Sequence, residues 1–158
     1  MEHKIVDSPE RKFVGMSLEM TYANNFTGQL WGGFMPRRHE VQNRIHDGYF
    51  SLQGTNPAFT MYDRSVDRPF TKWALVEVAN FNNVPDGMET FVLPAGKYAI
   101  FLHKGKSIPA FIEKIKTILS QWLPASGYQI DNRPDFEVLE ENARNNPEAE
   151  EEIWVPIK

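Results

Sequence analysis

Hydrophobic and polar residues alternate over residues 14–22, and this period of two predicts a strand with one buried face. Apolar residues spaced by three and four then predict a helix over residues 29–45, in which Gly32, Gly33 and Pro36 favour a kink. The two glycines have a second interpretation, since they would also permit close packing of the backbone. Two extended segments complete the first half of the chain: residues 49–54 and 72–81.

The second half of the chain repeats this order of elements. Residues 97–103 have the pattern of a strand, and residues 108–123 have the most regular amphipathic helical pattern in the sequence. Ser107 is suited to cap the first turn of this helix, while Pro124 and Gly127 are expected to end it. Two strands complete the half: residues 136–140 and 153–157.

One helix covers only part of the apolar sheet face of a β-α-β-β unit, so two such units side by side are the economical way to complete a core. The sequence therefore predicts an α+β fold in which two β-α-β-β units, about residues 13–81 and 90–157, are related by pseudo-twofold symmetry. An antiparallel sheet, two principal helices and a central ligand cleft are part of this prediction. We expect residues 1–158 to form one domain.

The segment at residues 55–69 is rich in turn-forming and charged residues, which predicts a long connection inside the first half. Such a connection is either a solvated linker or a flap over the cleft.

The composition of the chain limits the cellular compartment and the kinds of binding partner that we expect. The chain has no cysteine, which excludes disulfides, thiol chemistry and a zinc ribbon, and fits a reducing compartment. No signal-peptide core and no apolar run of membrane-spanning length is present, so we expect a soluble cytoplasmic protein without a membrane partner. The formal net charge of −4 disfavours direct nucleic-acid binding and slightly favours cationic partners.

The sequence contains no Ser/His/Asp motif and no phosphate-binding loop, and its histidines do not begin a metal-ligand spacing. We therefore expect no metal and no cofactor. His103 ends a strand and is predicted to be structural or solvent-facing rather than catalytic. The histidines are His3, His39, His46 and His103.

Two glutamates interrupt otherwise apolar strands. Glu77 is flanked by hydrophobic residues and shares a face with Trp73, and Glu137 stands between Phe136 and Val138. A buried carboxylate is costly unless it finds donors, becomes protonated or meets a cation. Each glutamate therefore either pairs with a lysine, an arginine or a backbone N–H, or accepts a ligand.

Aromatic residues occur on the elements that would border the cleft, and a carboxylate inside an aromatic box attracts lipophilic cations through charge and cation–π contact. The predicted partner is therefore a cationic or aromatic small molecule. The predicted ligand-binding residues are Glu137, Glu77, Trp31, Tyr49, Trp73, Tyr98, Phe101 and Trp154.

Seven short segments have a specific order and spacing: LVEV (75–78), VPDGME (84–89), LPAGKYAIF (93–101), HKG (103–105), WLPASGY (122–128), PDFE (134–137) and IWVPIK (153–158). Together they resemble the GyrI-like effector-binding domain, the ligand module of multidrug-sensing AraC-type and MerR-type regulators. The resemblance runs from about residue 13 to residue 158 and implies two β-α-β-β units related by a pseudo-twofold axis.

In that family a glutamate on the penultimate strand typically contacts cationic ligands, so the resemblance assigns this role to Glu137 ahead of Glu77. Leu139 departs from the pattern, because an aromatic residue often stands at that position. Only about a dozen residues precede the first predicted strand, too few for a helix-turn-helix domain. The expectation is a stand-alone module.

The resemblance implies small-molecule binding for sensing or sequestration, and two alternatives stay open. Some members of the wider family look like hydrolases of reactive cyclopropane-bearing compounds, and Glu137, with Tyr98 or Glu77, would then activate water. The other alternative is an inhibitor that binds a protein partner, of the gyrase-inhibitor type.

Overall fold

An open antiparallel sheet of eight strands organises the described part of the chain, residues 1–54, 67–141, 143 and 146–158 of a computed structural model. The predicted connection at residues 55–69 lies largely outside these residues. The strands are β1 (Lys4–Ser8), β2 (Arg11–Met20), β3 (Tyr49–Gln53), β4 (Phe70–Val78), β5 (Glu89–Leu93), β6 (Gly96–Lys104), β7 (Asp135–Leu139) and β8 (Glu150–Ile157).

The strand order β1-β6-β8-β7-β3-β4-β2-β5 reads as two equivalent halves joined at β7 and β3. In each half the last strand of the unit, β4 or β8, lies between the other two, so the predicted pair of β-α-β-β units is confirmed. At the junction Ser51 of β3 stands directly opposite Glu137 of β7. The two halves therefore share one continuous sheet.

The sequence pattern did not predict β1 and β5, which form the two edges of the sheet. β1 precedes the first unit but pairs with β6 of the second, and β5 precedes the second unit but pairs with β2 of the first. Both strands are mostly exposed or half-buried, so their sequences lack the strong apolar alternation of the inner strands. Their strand conformation is stabilised by main-chain pairing with a distant segment.

The first helix is shorter than predicted. α1 spans Thr27–Phe34 and continues as a 3-10 turn over Met35–Glu40, so the predicted break occurs at Pro36, but the end at residue 45 is wrong. Arg44 instead forms a bridge with Val78 of β4.

The second helix begins as predicted at α2 (Ile108–Thr117), where the Ser107 hydroxyl accepts the Ala110 N–H at 3.2 Å. A π turn, Ile118–Trp122, and a short α3, Leu123–Ser126, extend it. Pro124 does not end the helix, because it lies in the first turn of α3, where its missing N–H is tolerated. Gly127 ends it with a φ of +81°.

Both helices pack on the same face of the sheet. α1 covers a core that includes Val14, Ala74 and Val76, and the π turn with α3 covers a second core that includes Ala99 and Val155. The opposite face carries a third core, because side chains alternate along each strand. Its buried members are Phe13, Phe50, Leu52, Leu75, Leu93, Tyr98 and Phe136.

None of the helices in the described part of the chain has the length and apolar character needed to span a bilayer.

Gly32 and Gly33 of α1 do not serve close packing. A Cβ added at Gly32 would meet no atom within 4 Å, and one at Gly33 would reach only the Met16 sulfur at 4.0 Å. The close approach occurs instead at Gly15 of β2, where an added Cβ would overlap the Ala74 carbonyl oxygen.

We expect Gly15→Ala to lower the free energy of unfolding by about 3 kcal/mol, because β2 and β4 must move apart to admit the methyl group. Urea denaturation measures the change. Gly32→Ala is the matched control and should be neutral or stabilising by up to about 1 kcal/mol, since it adds helix propensity in open space. A Gly15→Ala variant as stable as the parent would contradict the close approach of the strands.

Candidate ligand-binding cleft

A cleft of about 700 Å³ lies over the central strands, between the start of α1 and the start of α2. β3, β4, β6, β7 and β8 contribute its floor, and the first turns of the two helices contribute its walls. The lining residues are Thr27, Ser51, Lys72, His103, Gly105, Lys106, Ser107, Ile108, Phe111, Glu137, Leu139, Ala143, Ala149, Glu150 and Glu151. This volume suits a drug-sized ligand.

Glu137 lies on the cleft floor, where the two halves of the sheet meet. Its neighbours in the sheet are Ser51 on β3 and Ile153 on β8, and the residue is 8% exposed. A carboxylate so far removed from bulk water interacts strongly with an opposite charge, because solvent screening is weak there. The position combines a buried negative group with an open space in front of it.

Glu151 is a second carboxylate in the same cleft. It stands opposite Leu139 of β7 and opposite His103 of β6, and strand alternation places its side chain on the face of Glu137. Burial raises the pKa of Glu151, and the nearby Lys72 ammonium opposes this shift. Partial desolvation thus penalises the ionised carboxylate, and a bound cation would relieve that penalty.

His103 lines the cleft and is 7% exposed, so of the two predicted alternatives, structural or solvent-facing, the second does not apply. Its ring packs edge-on against Phe111 of α2, with the ring centroids 5.5 Å apart. Burial lowers the pKa of His103, and the positive charge of Lys114 lowers it further. The imidazole is therefore neutral at neutral pH and adds no positive charge to the cleft.

Among the described lining residues, negative groups are slightly more numerous than positive ones. The carboxylates of Glu137, Glu150 and Glu151 outnumber the ammonium groups of Lys72 and Lys106 by three to two. The apolar lining comes mainly from side chains of α2 and β7: Ile108, Phe111 and Leu139.

Of the eight predicted site residues, only Glu137 lines this cleft. Tyr49 shares its sheet face but lies in the core beneath α1, to which Trp31 contributes from the helix itself. Phe101 lies beneath the second helix, where it packs against Trp122. The remaining four lie in or beside the core on the opposite face: Glu77, Trp73, Tyr98 and Trp154. These eight residues are therefore not brought together around one cavity among the described residues.

The opposite sheet face does combine a carboxylate, Glu77, with aromatic rings. The cation that pairs with this carboxylate is a side chain of the protein itself, Arg11. Both Glu77 carboxylate oxygens accept N–H groups of Arg11, at 2.9 and 2.8 Å. The Arg11 guanidinium lies 5.0 Å from the ring centroid of Phe50 and 5.3 Å from that of Trp154. Glu77 thus follows the alternative in which an interior glutamate pairs with an arginine.

Tyr98 is held by structural contacts on this opposite face. Its hydroxyl donates to the Pro134 carbonyl at 3.2 Å, and the Arg133 guanidinium lies 4.5 Å from its ring centroid. Burial raises the pKa of Tyr98 to about 12, so the hydroxyl stays protonated at neutral pH. It cannot assist Glu137, because the sheet separates the two side chains.

Tyr49 likewise has a structural role. Its hydroxyl donates to Glu141, and Glu141 also accepts an N–H of Arg38 at 2.9 Å. The Arg44 guanidinium lies 4.9 Å from the Tyr49 ring centroid. These contacts tie the segment after α1 to the segment after β7.

Sequence reasoning missed Glu151, His103, Ser51, Lys72 and Phe111 as cleft residues. Glu151 belongs to the acidic stretch at residues 140–151, whose composition is typical of a solvent-facing loop. The last strand begins at Glu150, and its alternation places Glu151 on the same face as Ile153. This shared face is the signal in the sequence that could have identified Glu151 as a cleft residue.

The chain belongs to the GyrI-like family, because the family described as the GyrI-like small molecule binding domain matches residues 1–158. The resemblance noted in the sequence is thereby confirmed. The transcriptional regulator BrlR of Pseudomonas aeruginosa is 31% identical over 159 residues, which cover 99% of this chain and 56% of that protein. The chain thus spans about half the length of this curated relative.

Solved structures share the fold at low sequence identity. The protein SAV2435 bound to tetraphenylphosphonium superposes with a TM-score of 0.69 at 17% identity, covering 100% of this chain and 94% of that one. A hydrolase from Listeria innocua has a TM-score of 0.65 at 10% identity, covering 99% of this chain and 92% of that one. These likenesses establish the α+β architecture.

We expect Arg11→Met to lower the free energy of unfolding by about 3 kcal/mol, because it leaves the Glu77 carboxylate buried without its cation. The double variant Arg11→Met/Glu77→Met should recover much of this loss, since both charges are then absent. Chemical denaturation of the two variants and the parent measures the effect. Equal stability of the single and double variants would contradict the coupling between the two residues.

Glu151→Gln should raise the melting temperature at pH 7, because the raised pKa of Glu151 means that ionisation of this group opposes folding. The difference should shrink as the pH falls and vanish below about pH 4, where the carboxyl group is protonated in both states. Thermal unfolding across this range tests the direction. Glu150→Gln, on the exposed neighbouring residue, is the matched control and should show no comparable pH-dependent gain.

Proposed function

We propose that this protein binds lipophilic organic cations in the cleft, with Glu137 as the main electrostatic partner. The observation that carries the proposal is the Glu137 carboxylate, 8% exposed, on the floor of a cleft of about 700 Å³. A buried carboxylate beside apolar side chains favours a ligand that combines an apolar body with an opposite charge.

The surroundings of Glu137 support a cation rather than an anion. Glu151 adds a second carboxylate, and His103 is neutral at neutral pH. The side chains of Ile108 and Phe111 supply the apolar wall that a hydrophobic cation would contact. The cation bound to the SAV2435 protein, tetraphenylphosphonium, has this combination of properties and is a suitable first probe.

The proposed role is sensing or sequestration of such compounds in the reducing cytoplasm, without direct contact to nucleic acid. The similarity to a transcriptional regulator supports a sensing role.

Replacement of Glu137 by Gln keeps the shape and hydrogen-bonding capacity of the side chain but removes its charge. We expect the dissociation constant for tetraphenylphosphonium to rise about ten- to hundredfold, while the neutral triphenylphosphine oxide loses little affinity. Isothermal titration calorimetry measures both, with circular dichroism to verify the fold.

Two glutamate variants control for this result. Glu77→Gln changes a carboxylate on the opposite sheet face, and Glu152→Gln changes a half-buried carboxylate on β8 that also faces away from the cleft. Neither should reduce cation affinity by more than about twofold in a folded variant. Unchanged cation binding in Glu137→Gln would refute the electrostatic role of Glu137.

Hydrolysis is the second candidate function, because two carboxylates in different environments share the cleft. Glu137 would activate water, and Glu151, whose pKa is raised by burial, would supply a proton. The substrate class that the family resemblance implies is a reactive cyclopropane-bearing compound. Mass spectrometry of such compounds after incubation separates the functions: a binding protein returns them unchanged, and a hydrolase returns products with one added water.

A further inference from the structure

We propose that His103 is a hydrogen-bond acceptor for the ligand, and that the cleft therefore selects protonated amines bearing an N–H over quaternary cations. This inference rests on the proposed binding of organic cations and names the chemical class that the cleft prefers. It concerns a residue that sequence analysis assigned to structure or solvent.

His103 presents a buried polar atom to the cleft. The residue is 7% exposed and lines the cleft, and its Nε2 atom has no hydrogen-bond partner within the described part of the chain. Buried polar atoms of native proteins nearly always have a partner, so an exception at a cleft wall points to a ligand. Contact with Phe111 fixes the orientation of the ring.

The sheet places His103 in one array with the cleft carboxylates. His103 stands directly opposite Glu151, and such cross-strand neighbours have Cβ atoms roughly 5 Å apart. Glu137 lies one strand further on, two residues from the partner of Glu151. From the strand spacing, its Cα lies about 12 Å from that of His103, within the length of a drug-sized ligand.

The array fits a cation that also donates a hydrogen bond. In the neutral tautomer with its proton on Nδ1, the imidazole accepts at Nε2 and does not repel a positive charge. An ammonium group between His103 and Glu151 can donate its N–H to Nε2 while its positive charge faces the Glu151 carboxylate, because no described contact joins these two side chains to each other. A quaternary cation has no N–H, so it leaves Nε2 without a partner.

The test uses two probes with the same apolar body and the same charge at pH 7: N,N-dimethyl-(2-naphthylmethyl)ammonium, which has one N–H, and the corresponding trimethyl compound, which has none. Calorimetry on the full chain should show the N–H probe binding about tenfold more tightly. His103→Phe keeps a planar ring against Phe111 but removes both ring nitrogens. It should abolish the preference by weakening the N–H probe alone.

Glu137→Gln is the reference variant, because loss of its charge should weaken both probes by a similar factor and preserve their ratio. This pattern separates the two proposals. If neither probe binds the parent protein, the proposed function and the inference both fail. If both probes bind equally, or if His103→Phe keeps the parent's preference, the inference alone fails.

A measurement on the parent protein guards against misfolding of the variant. With 15N-labelled histidine, the Nε2 resonance of His103 should shift when the N–H probe saturates the cleft and move much less with the trimethyl probe. No shift at saturation with the N–H probe would overturn the proposal.

Discussion

The antiparallel pairing of β3 with β7 joins the sheets of the two halves of the protein, and the cleft depends on this pairing. It sets Ser51 opposite Glu137 and brings β4 and β8 to either side. Each unit alone presents a three-stranded sheet with one helix, and the space between the two helices exists only when the sheets are continuous. A carboxylate at this junction lies between the parts of the sheet that the two helices cover.

Glu77 and Glu137 are both buried carboxylates, but they lie in different environments. Glu77 lies on the opposite face beneath aromatic rings and is neutralised by two hydrogen bonds from Arg11. Glu137 lies on the helix face beside an open cleft. Both satisfy the rule that a buried carboxylate must have compensating partners, but only the second position is accessible to a molecule from outside. The environment of each glutamate, rather than its immediate sequence, separates a structural from a ligand-binding role.

The irregular second helix gives the cleft its depth. No residue of α2 is buried, and Ile108 is 71% exposed, whereas Ile118 in the π turn and Leu123 in α3 are fully packed on the sheet. The helix is thus anchored at its C-terminal end while its first turns stand away from the strands. This arrangement leaves Phe111 and Ile108 as a cleft wall, and it explains why a helix with a regular apolar stripe has half-buried rather than buried residues in its first part.

The sequence determined the order of the elements, the twofold repeat, the α2 cap at Ser107 and the family, because these depend on local periodicity and short motifs. It also singled out Glu137, since a charge between apolar strand residues is a local anomaly. Only the tertiary structure decided which sheet face the helices cover, and hence that Trp154 and Tyr98 lie away from Glu137. The tertiary structure also determined that each edge strand pairs with the other half of the chain, and that His103 lies opposite Glu151. Strict alternation along a strand shows which of its residues share a face. Their neighbours across the sheet, however, depend on pairing with segments far along the chain.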